Sequence, residues 1–133
     1  ADPSELYLPV DPAEDAPNVA DQENDPNSLL NRTRQLIALR HSEPALANYA
    51  EFVPLYAEKD TYPFVYARAA GEDVVLVLLN PRAEASEATF NVNVPFRKTK
   101  LLMGDKIEFD HDRKTGNVTV KMPGQSYSII KLL

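Results

Sequence analysis

Three carboxylates near the start of the chain are the first candidates for metal chemistry. Asp11, Glu14 and Asp15 offer oxygen ligands of the kind that a hard cation such as Ca²⁺ prefers. Their spacing lacks the alternating Asp/Asn ligands, the glycine and the terminal glutamate of an EF-hand loop. The sequence has no cysteine, so thiolate ligands and disulfides are excluded. We therefore interpret the acidic cluster as a solvated loop and predict no metal site.

The two histidines are the next candidates, because imidazole serves both acid–base catalysis and metal binding. His111 lies between Asp110 and Asp112. Residues 108–116 look like the end of a hairpin arm and its turn, so we predict that His111 is solvent-exposed. His41 is better explained as a cation at the C-terminal end of a helix. No serine lies in a Gly-x-Ser-x-Gly elbow, and the sequence predicts no catalytic or cofactor-binding residue.

A group of aromatic residues opens the β-rich part of the chain, and aromatic faces can stack on sugars as well as on one another. The group is Tyr49, Phe52, Tyr56, Tyr62, Phe64 and Tyr66. Strands favour aromatic residues in any case, and the chain contains no tryptophan. We favour packing as the role of this Tyr/Phe cluster. A carbohydrate-binding module that uses the cluster remains the alternative.

One amphipathic helix precedes the strand patterns. Asp25 and Pro26 form an N-terminal signature, and Pro44 prevents continuation beyond the last turn. These signals predict a helix from Pro26 to Ser42. Its apolar stripe, which we expect to pack on a sheet, consists of Leu29, Leu30, Leu36 and Ile37.

Eight short segments after the helix are rich in β-branched, aromatic or aliphatic residues and are separated by turn formers. They are residues 51–57, 64–69, 74–80, 88–94, 100–103, 106–109, 117–121 and 126–133. Residues 74–79 are continuously apolar, which predicts a central strand covered on both faces. The fold class we predict is mainly β: an antiparallel β-sandwich of about eight strands with one N-terminal helix packed on it.

Length and charge restrict the remaining possibilities. The 133 residues suffice for one domain. Residues 1–25 contain eight acids and no Lys or Arg, which leaves the rest of the chain near neutrality. We therefore expect residues 1–24 to be an acidic, Pro-rich leader that is extended or partly disordered unless it packs on something. We expect no nucleic-acid or membrane partner. With no apolar run of about 20 residues, the sequence indicates a soluble protein, with a cytoplasmic location favoured.

The order of motifs resembles a known family. Residues 25–30 read Asp-Pro-Asn-Ser-Leu-Leu, residues 36–40 read Leu-Ile-Ala-Leu-Arg and residues 44–46 read Pro-Ala-Leu. Together with residues 62–68, 74–80 and 122–133, they resemble the last barrel helix and the C-terminal β-domain of α-glucosidase-like members of the α-amylase family, glycoside hydrolase family 13. The implied domains are a former barrel loop (1–24), the last barrel helix (25–46) and a C-terminal β-sandwich (47–133).

The resemblance also implies a role. Family members cleave or transfer α-glucosidic bonds with an Asp nucleophile, a Glu acid/base and a further Asp, all on earlier barrel strands that this sequence does not contain. We therefore expect a non-catalytic structural domain of a glycosidase or glucosyltransferase. The implied partner is the catalytic barrel of the parent chain, and an α-glucan or oligosaccharide is a further possible ligand.

Overall fold

The structure is a computed structural model that describes residues 2–133. The chain divides into two compact units, the first ending at Ile37 and the second spanning Ala38–Leu133. The first unit contains a short 3-10 helix (Pro3–Glu5), helix α1 (Val19–Asn24) and the first part of helix α2 (Leu29–Ser42). Ala1, the first residue of the predicted leader, lies outside the described residues.

Helix α1 lies within the segment that we predicted to be extended, and that prediction is wrong for Val19–Asn24. The helix begins because the side-chain oxygen of Asn18 accepts a hydrogen bond from the Asp21 amide at 2.9 Å. An N-terminal cap of this kind satisfies one of the free amides of the first turn. Asn18 therefore supplies a helix start that we did not recognise in the sequence.

Helix α2 ends at Ser42 as predicted, but it begins at Leu29 and not at Pro26. The hydroxyl of Ser28 accepts from the Asn31 amide at 3.2 Å, and the Ser28 carbonyl accepts from the Arg32 amide. Asp25 accepts from the amide of Asn27 at 2.8 Å and so forms a local turn. Because Asp25 is occupied by that turn, Ser28 is the residue that caps the helix.

Three of the four residues of the predicted apolar stripe of α2 are exposed. Leu29 is 76% exposed, Ile37 is 53% exposed and Leu36 is 41% exposed. Leu30, the fourth residue of the predicted stripe, is half-buried. The packing of this stripe on a sheet stays a prediction.

The second unit contains two antiparallel sheets, which confirms the predicted mainly β fold. The strands are β1 (Glu51–Tyr56), β2 (Phe64–Ala70), β3 (Asp73–Asn80), β4 (Ser86–Asn91), β5 (Thr99–Gly104), β6 (Glu108–Asp112), β7 (Asn117–Met122) and β8 (Ser126–Leu132). The order is β1-β2-β3-β8-β5 in the five-stranded sheet and β4-β7-β6 in the three-stranded sheet. Strand β4 ends before the predicted limit of residue 94, and Asn93 adopts a positive φ of 57°.

The main core lies between the two sheets. It is formed by alternate residues of both, among them Val65, Leu76, Phe90 and Val118. Strand β3 is central, and residues 74–78 are all buried, as the continuous apolar run predicted. The side chains that alternate with this core lie on the opposite side of the five-stranded sheet, which we call the outer face.

No helix among residues 2–133 is long and apolar enough to cross a membrane.

Candidate functional site

The outer face is organised in cross-strand rows. Antiparallel register places Phe64, Leu79 and Tyr127 side by side on β2, β3 and β8. The next row along the same face consists of Tyr66, Val77 and Ile129. A third row consists of Arg68, Val75 and Lys131. Because side chains two residues apart point to the same face of a sheet, the outer face is aromatic and apolar at one end and cationic at the other.

Three members of the Tyr/Phe cluster form a contiguous aromatic group on this face. The ring of Tyr66 lies 4.9 Å from that of Phe52 and 5.3 Å from that of Phe64, with tilted planes in both pairs. Burial raises the pKa of the Tyr66 hydroxyl, and the nearby charge of Arg68 opposes that shift. Phe52 is 52% exposed at the edge of the group. This group can therefore present an aromatic ring to a partner.

The other three members of the cluster are dispersed. Tyr56 packs against the core between the sheets. Tyr49 is exposed beside a recess that it shares with Glu51. Tyr62 lines a cleft of about 500 Å³ with Phe64 and Tyr127. The six aromatics therefore do not form a single sugar platform.

Tyr127 is a cleft residue that the sequence analysis missed. It lies on β8, whose last residues alternate between the core and the outer face. Its neighbours on the outer face, Phe64 and Leu79, are distant in sequence. Only the strand order brings these three side chains together.

At the cationic end of the outer face, polar contacts hold the segment before β1, residues 43–50, against the sheet. The ammonium group of Lys131 lies 2.6 Å from a carboxylate oxygen of Glu43 and 2.6 Å from one of Asp73. The guanidinium of Arg68 donates to the carbonyls of Ala47 and Ala50 at 2.6 and 3.0 Å. These contacts hold residues 43–50 over part of the outer face, where buried Ala45 joins the apolar packing.

The predicted acidic candidates do not come together as a site. Asp11, Glu14 and Asp15 are exposed, and Asp11 accepts from the Ala13 amide at 3.0 Å. Within residues 2–133, no group of three or more His, Asp or Glu side chains is arranged to hold a metal ion. His41 lies exposed in the last turn of α2, where we placed it.

His111 differs from the prediction. It is half-buried on β6 and stacks on Phe96, with ring centroids 4.1 Å apart and planes inclined by 15°. Phe109 and His111 are two residues apart on the same strand and therefore share a face. Phe109 also contacts Phe96, at 6.2 Å and edge-on. The turn follows His111 instead of containing it.

Comparison with solved structures finds several carbohydrate-active enzymes that contain a region similar to this chain. An isomaltulose synthase from Erwinia rhapontici NX5 matches 95% of this chain and 22% of its own, with 27% identity and a TM-score of 0.71. A Nostoc punctiforme debranching enzyme matches 75% of this chain and 19% of its own, with 25% identity and a TM-score of 0.62. A Bacillus licheniformis trehalose-6-phosphate hydrolase has a TM-score of 0.72 over 95% of this chain and 22% of its own, and its 18% identity indicates the shared fold.

The chain thus spans about a fifth of the length of each of these enzymes. No protein-family model matches the sequence. No curated protein matches it either. The resemblance to α-amylase-family glycoside hydrolases, which the sequence motifs indicated, is confirmed by the structural similarity. The β-rich architecture fits a C-terminal domain of such enzymes.

Proposed function

We propose that this chain is the C-terminal part of an α-amylase-family enzyme that acts on α-glucosidic bonds, and that it serves that enzyme as a non-catalytic structural domain. Its partner is the catalytic barrel of the same chain. The division proposed from the sequence accompanies this role: a barrel loop (1–24), the last barrel helix (25–46) and the C-terminal sandwich (47–133). In two of the similar enzymes, the part that resembles this chain is 19% and 22% of their length.

The observation that carries this proposal is the apolar surface before residue 38. Tyr7 is 98% exposed, Leu8 is 70% exposed and Leu29 is 76% exposed. No large apolar side chain described in this part of the chain is buried. Removing apolar area from water stabilises a protein by about 25 cal/mol per Å², and a large exposed apolar surface is typical of an interaction site. A barrel that covers residues 6–10 and the stripe of α2 would supply that burial.

The clefts of the second unit favour a non-catalytic role. A retaining glycosidase needs two carboxyl groups about 5–5.5 Å apart across the scissile bond. The lining of the cleft around His111 and that of the cleft around Tyr62 contain no Asp or Glu. The recess beside Tyr49 contains one carboxylate, that of Glu51. Neither the two clefts nor the recess is lined by the required pair of carboxyl side chains.

The test compares one pair of variants in two contexts. Leu36→Asp and Ile37→Asp are made in the isolated chain and in the longer enzyme, once its upstream coding sequence is determined. In the isolated chain we expect the free energy of unfolding to change by about 0.5 kcal/mol or less, because both side chains are exposed. In the longer enzyme we expect a loss of roughly 2–5 kcal/mol, as for buried aliphatic side chains. Gln35→Asp, an exposed neighbour on the same helix, is the matched control.

Two outcomes would contradict the proposal. One is an upstream sequence that does not encode a (β/α) barrel. The other is equal stability of the Leu36→Asp and Gln35→Asp variants in the longer enzyme. Incubation of the isolated chain with α-glucosides is a separate check, and we expect no turnover. Reproducible turnover that disappears when one carboxylate of this chain is changed would exclude a non-catalytic role.

Carbohydrate binding is the second candidate function. The cleft lined by Tyr62, Phe64 and Tyr127 favours it, because two or three aromatic rings beside a concave surface suit the apolar face of a sugar ring. The same surface also suits an apolar side chain from a barrel. A sugar titration of the isolated chain distinguishes the two uses.

A further inference from the structure

A second cleft lies at the end of the three-stranded sheet where β4 and β6 finish. Its volume is about 940 Å³, and its walls come from the segment after β4, the turn after β6 and Leu133. Its lining includes the polar and aromatic side chains of Asn91, Asn93, Phe96, Arg97, His111, Arg113 and Thr115. Small-molecule sites commonly have volumes of about 300–1,000 Å³. The cleft is therefore large enough for a small metabolite.

The lining carries positive charge and no negative side chain. Two guanidinium groups, those of Arg97 and Arg113, border the cleft, and no Asp or Glu does. Across residues 2–133, neither guanidinium has a carboxylate oxygen within 4.0 Å. By contrast, the exposed Arg82 lies 3.6 Å from a carboxylate oxygen of Glu84. The two cleft arginines are thus available to an external anion.

The carboxylate of Asp112, which lies between His111 and Arg113 in the sequence, is hydrogen-bonded within the turn after β6. One oxygen of Asp112 accepts from the Lys114 amide at 2.9 Å, and the other accepts from the Thr115 hydroxyl at 2.8 Å. These hydrogen bonds lower the pKa of Asp112. In the 133-residue chain the carboxylate of Leu133 also lines the cleft, and one of its oxygens accepts from the amides of Arg97 and Lys98, at 2.7 and 3.0 Å. Asp112 and this oxygen of Leu133 therefore already have hydrogen-bond partners.

The imidazole of His111 is fixed in the wall of the cleft. It stacks on Phe96 at 4.1 Å, and Phe96 is in turn held edge-on by Phe109. A half-buried ring held in this way loses little freedom when it donates an N–H to a ligand, which favours binding. The cleft thus combines a fixed imidazole donor with two guanidinium groups.

We propose that this cleft binds a phosphate group carried by a small molecule. Guanidinium groups pair with phosphate through two parallel, charge-assisted hydrogen bonds, and their geometry makes arginine a frequent phosphate ligand. His111, on β6, supplies a further donor in the lining of the same cleft. The excess volume accommodates a group attached to the phosphate, of the size of a hexose. This site is independent of the proposed structural role, because none of its residues lies on the outer face or before residue 38.

The test uses the full 133-residue chain and three probes: inorganic phosphate, glucose 6-phosphate and glucose. Amide chemical shifts are followed by NMR at low ionic strength, since salt screens exposed charges. We expect saturable shifts at Asn93, Phe96 and Thr115 with the two phosphate-containing probes and no saturable shift with glucose. Tighter binding of glucose 6-phosphate than of inorganic phosphate would support a phosphate group carried by a small molecule, whereas equal binding would contradict it and identify free phosphate as the ligand.

Variants decide whether the named side chains are responsible. Arg97→Gln and Arg113→Gln should each weaken phosphate binding about tenfold, because each removes charge-assisted hydrogen bonds. Arg82→Gln is the matched control and should leave the affinity unchanged. His111→Phe preserves a stacked ring on Phe96 and removes the N–H donor, so it should also weaken binding. Absence of saturable shifts, comparable binding of glucose, or equal affinities for the Arg113→Gln and Arg82→Gln variants would overturn the proposal.

Discussion

The ammonium group of Lys131 on β8 and the carboxylate of Glu43, which precedes β1 by eight residues, are 2.6 Å apart and largely shielded from solvent. Asp73 at the start of β3 contacts the same ammonium group at 2.6 Å. A charge removed from water is stable only when it is paired. The three residues therefore form one charged unit that fastens the 3-10 helix Pro44–Leu46 to the outer face.

We predict that Lys131→Met lowers the free energy of unfolding by roughly 1.5–3 kcal/mol, because it leaves the buried carboxylate of Glu43 without its charged partner. Denaturant unfolding at neutral pH measures the change. Lys121→Met is the matched control. Lys121 also lies between two carboxylates, those of Glu87 and Glu108, but at 3.7 and 3.8 Å and in exposed positions. Exposed pairs contribute about 0–1 kcal/mol, so equal losses in both variants would contradict the prediction.

The same unit has a defined pH dependence. Hydrogen bonds to Asp73 and Glu43 raise the pKa of Lys131 above 10.5. Because the pKa is higher in the folded state, the stabilisation is complete below the unfolded value and is lost as the pH rises through the folded value. The stability difference between the wild-type chain and Lys131→Met should therefore be constant from pH 7 to 10 and shrink above pH 10.5. A difference that disappears near pH 8 would show that another group is responsible.

A leucine-to-alanine substitution should destabilise the protein much more in the core than in the helix stripe. Leu76 on β3 is 0% exposed, so Leu76→Ala should lower the free energy of unfolding by roughly 2–5 kcal/mol. Leu36→Ala removes the same atoms from an exposed position and should change it by about 0.5 kcal/mol or less. Denaturant titrations of both variants measure the contrast. A large loss for Leu36→Ala in the isolated chain would mean that the stripe is covered by this chain after all.

The contrast also explains what the sequence could and could not predict. The apolar run of β3 predicted a strand buried on both faces, because burial of a central strand follows from its own residues. The spacing of the apolar residues in α2 likewise predicted an apolar face on that helix. Its partner could not be inferred from periodicity, which identifies a face but not what covers it. The predicted start of α2 was wrong because two residues can cap the helix. Asp25 accepts from the Asn27 amide instead, and Ser28 is the residue that caps the helix.

The composition of the candidate sites was harder to predict than the fold, because each site joins residues that are distant in the sequence. His111 was assigned to a turn from its immediate neighbours, whereas its stacking partner Phe96 is separated from it by a complete strand. Arg97 and Arg113 are unremarkable in the sequence, and only the fold brings them to one cleft. Tyr127 joins Phe64 through two strand pairings. Contacts of this kind are fixed by register and strand order, which local patterns do not determine.

Asn80 gives a further prediction, because it is a buried polar residue at the end of β3. Its amide donates to the carbonyls of Glu84 and Pro123 at 2.9 and 2.7 Å, and the residue is 1% exposed. Asn80→Ala should lower the free energy of unfolding by roughly 1–3 kcal/mol, since it removes the donor to both carbonyls. The same substitution at the exposed Asn117 is the control and should cost about 0.5 kcal/mol or less. Thermal or denaturant unfolding that ranks the two variants equally would refute this role.

The last prediction separates the structural role from the carbohydrate-binding alternative. If this chain has only the structural role, maltose and longer α-glucans should produce no saturable shift of the amides around Tyr62, Phe64 and Tyr127, even at high sugar concentration. The physical reason is that the cleft between these rings is lined almost wholly by apolar groups, whereas a sugar site also needs polar groups that fix orientation.

NMR titration of the isolated chain measures this directly, and Tyr62→Ala is the test variant. The exposed Tyr49, which lies in a separate recess beside Glu51, provides the control variant Tyr49→Ala. Saturable binding at millimolar or lower concentration that Tyr62→Ala abolishes and Tyr49→Ala preserves would favour the carbohydrate-binding module. In the longer enzyme, Tyr62→Ala should instead lower stability, because the aromatic rings at this end of the outer face would then contact the barrel and not a sugar.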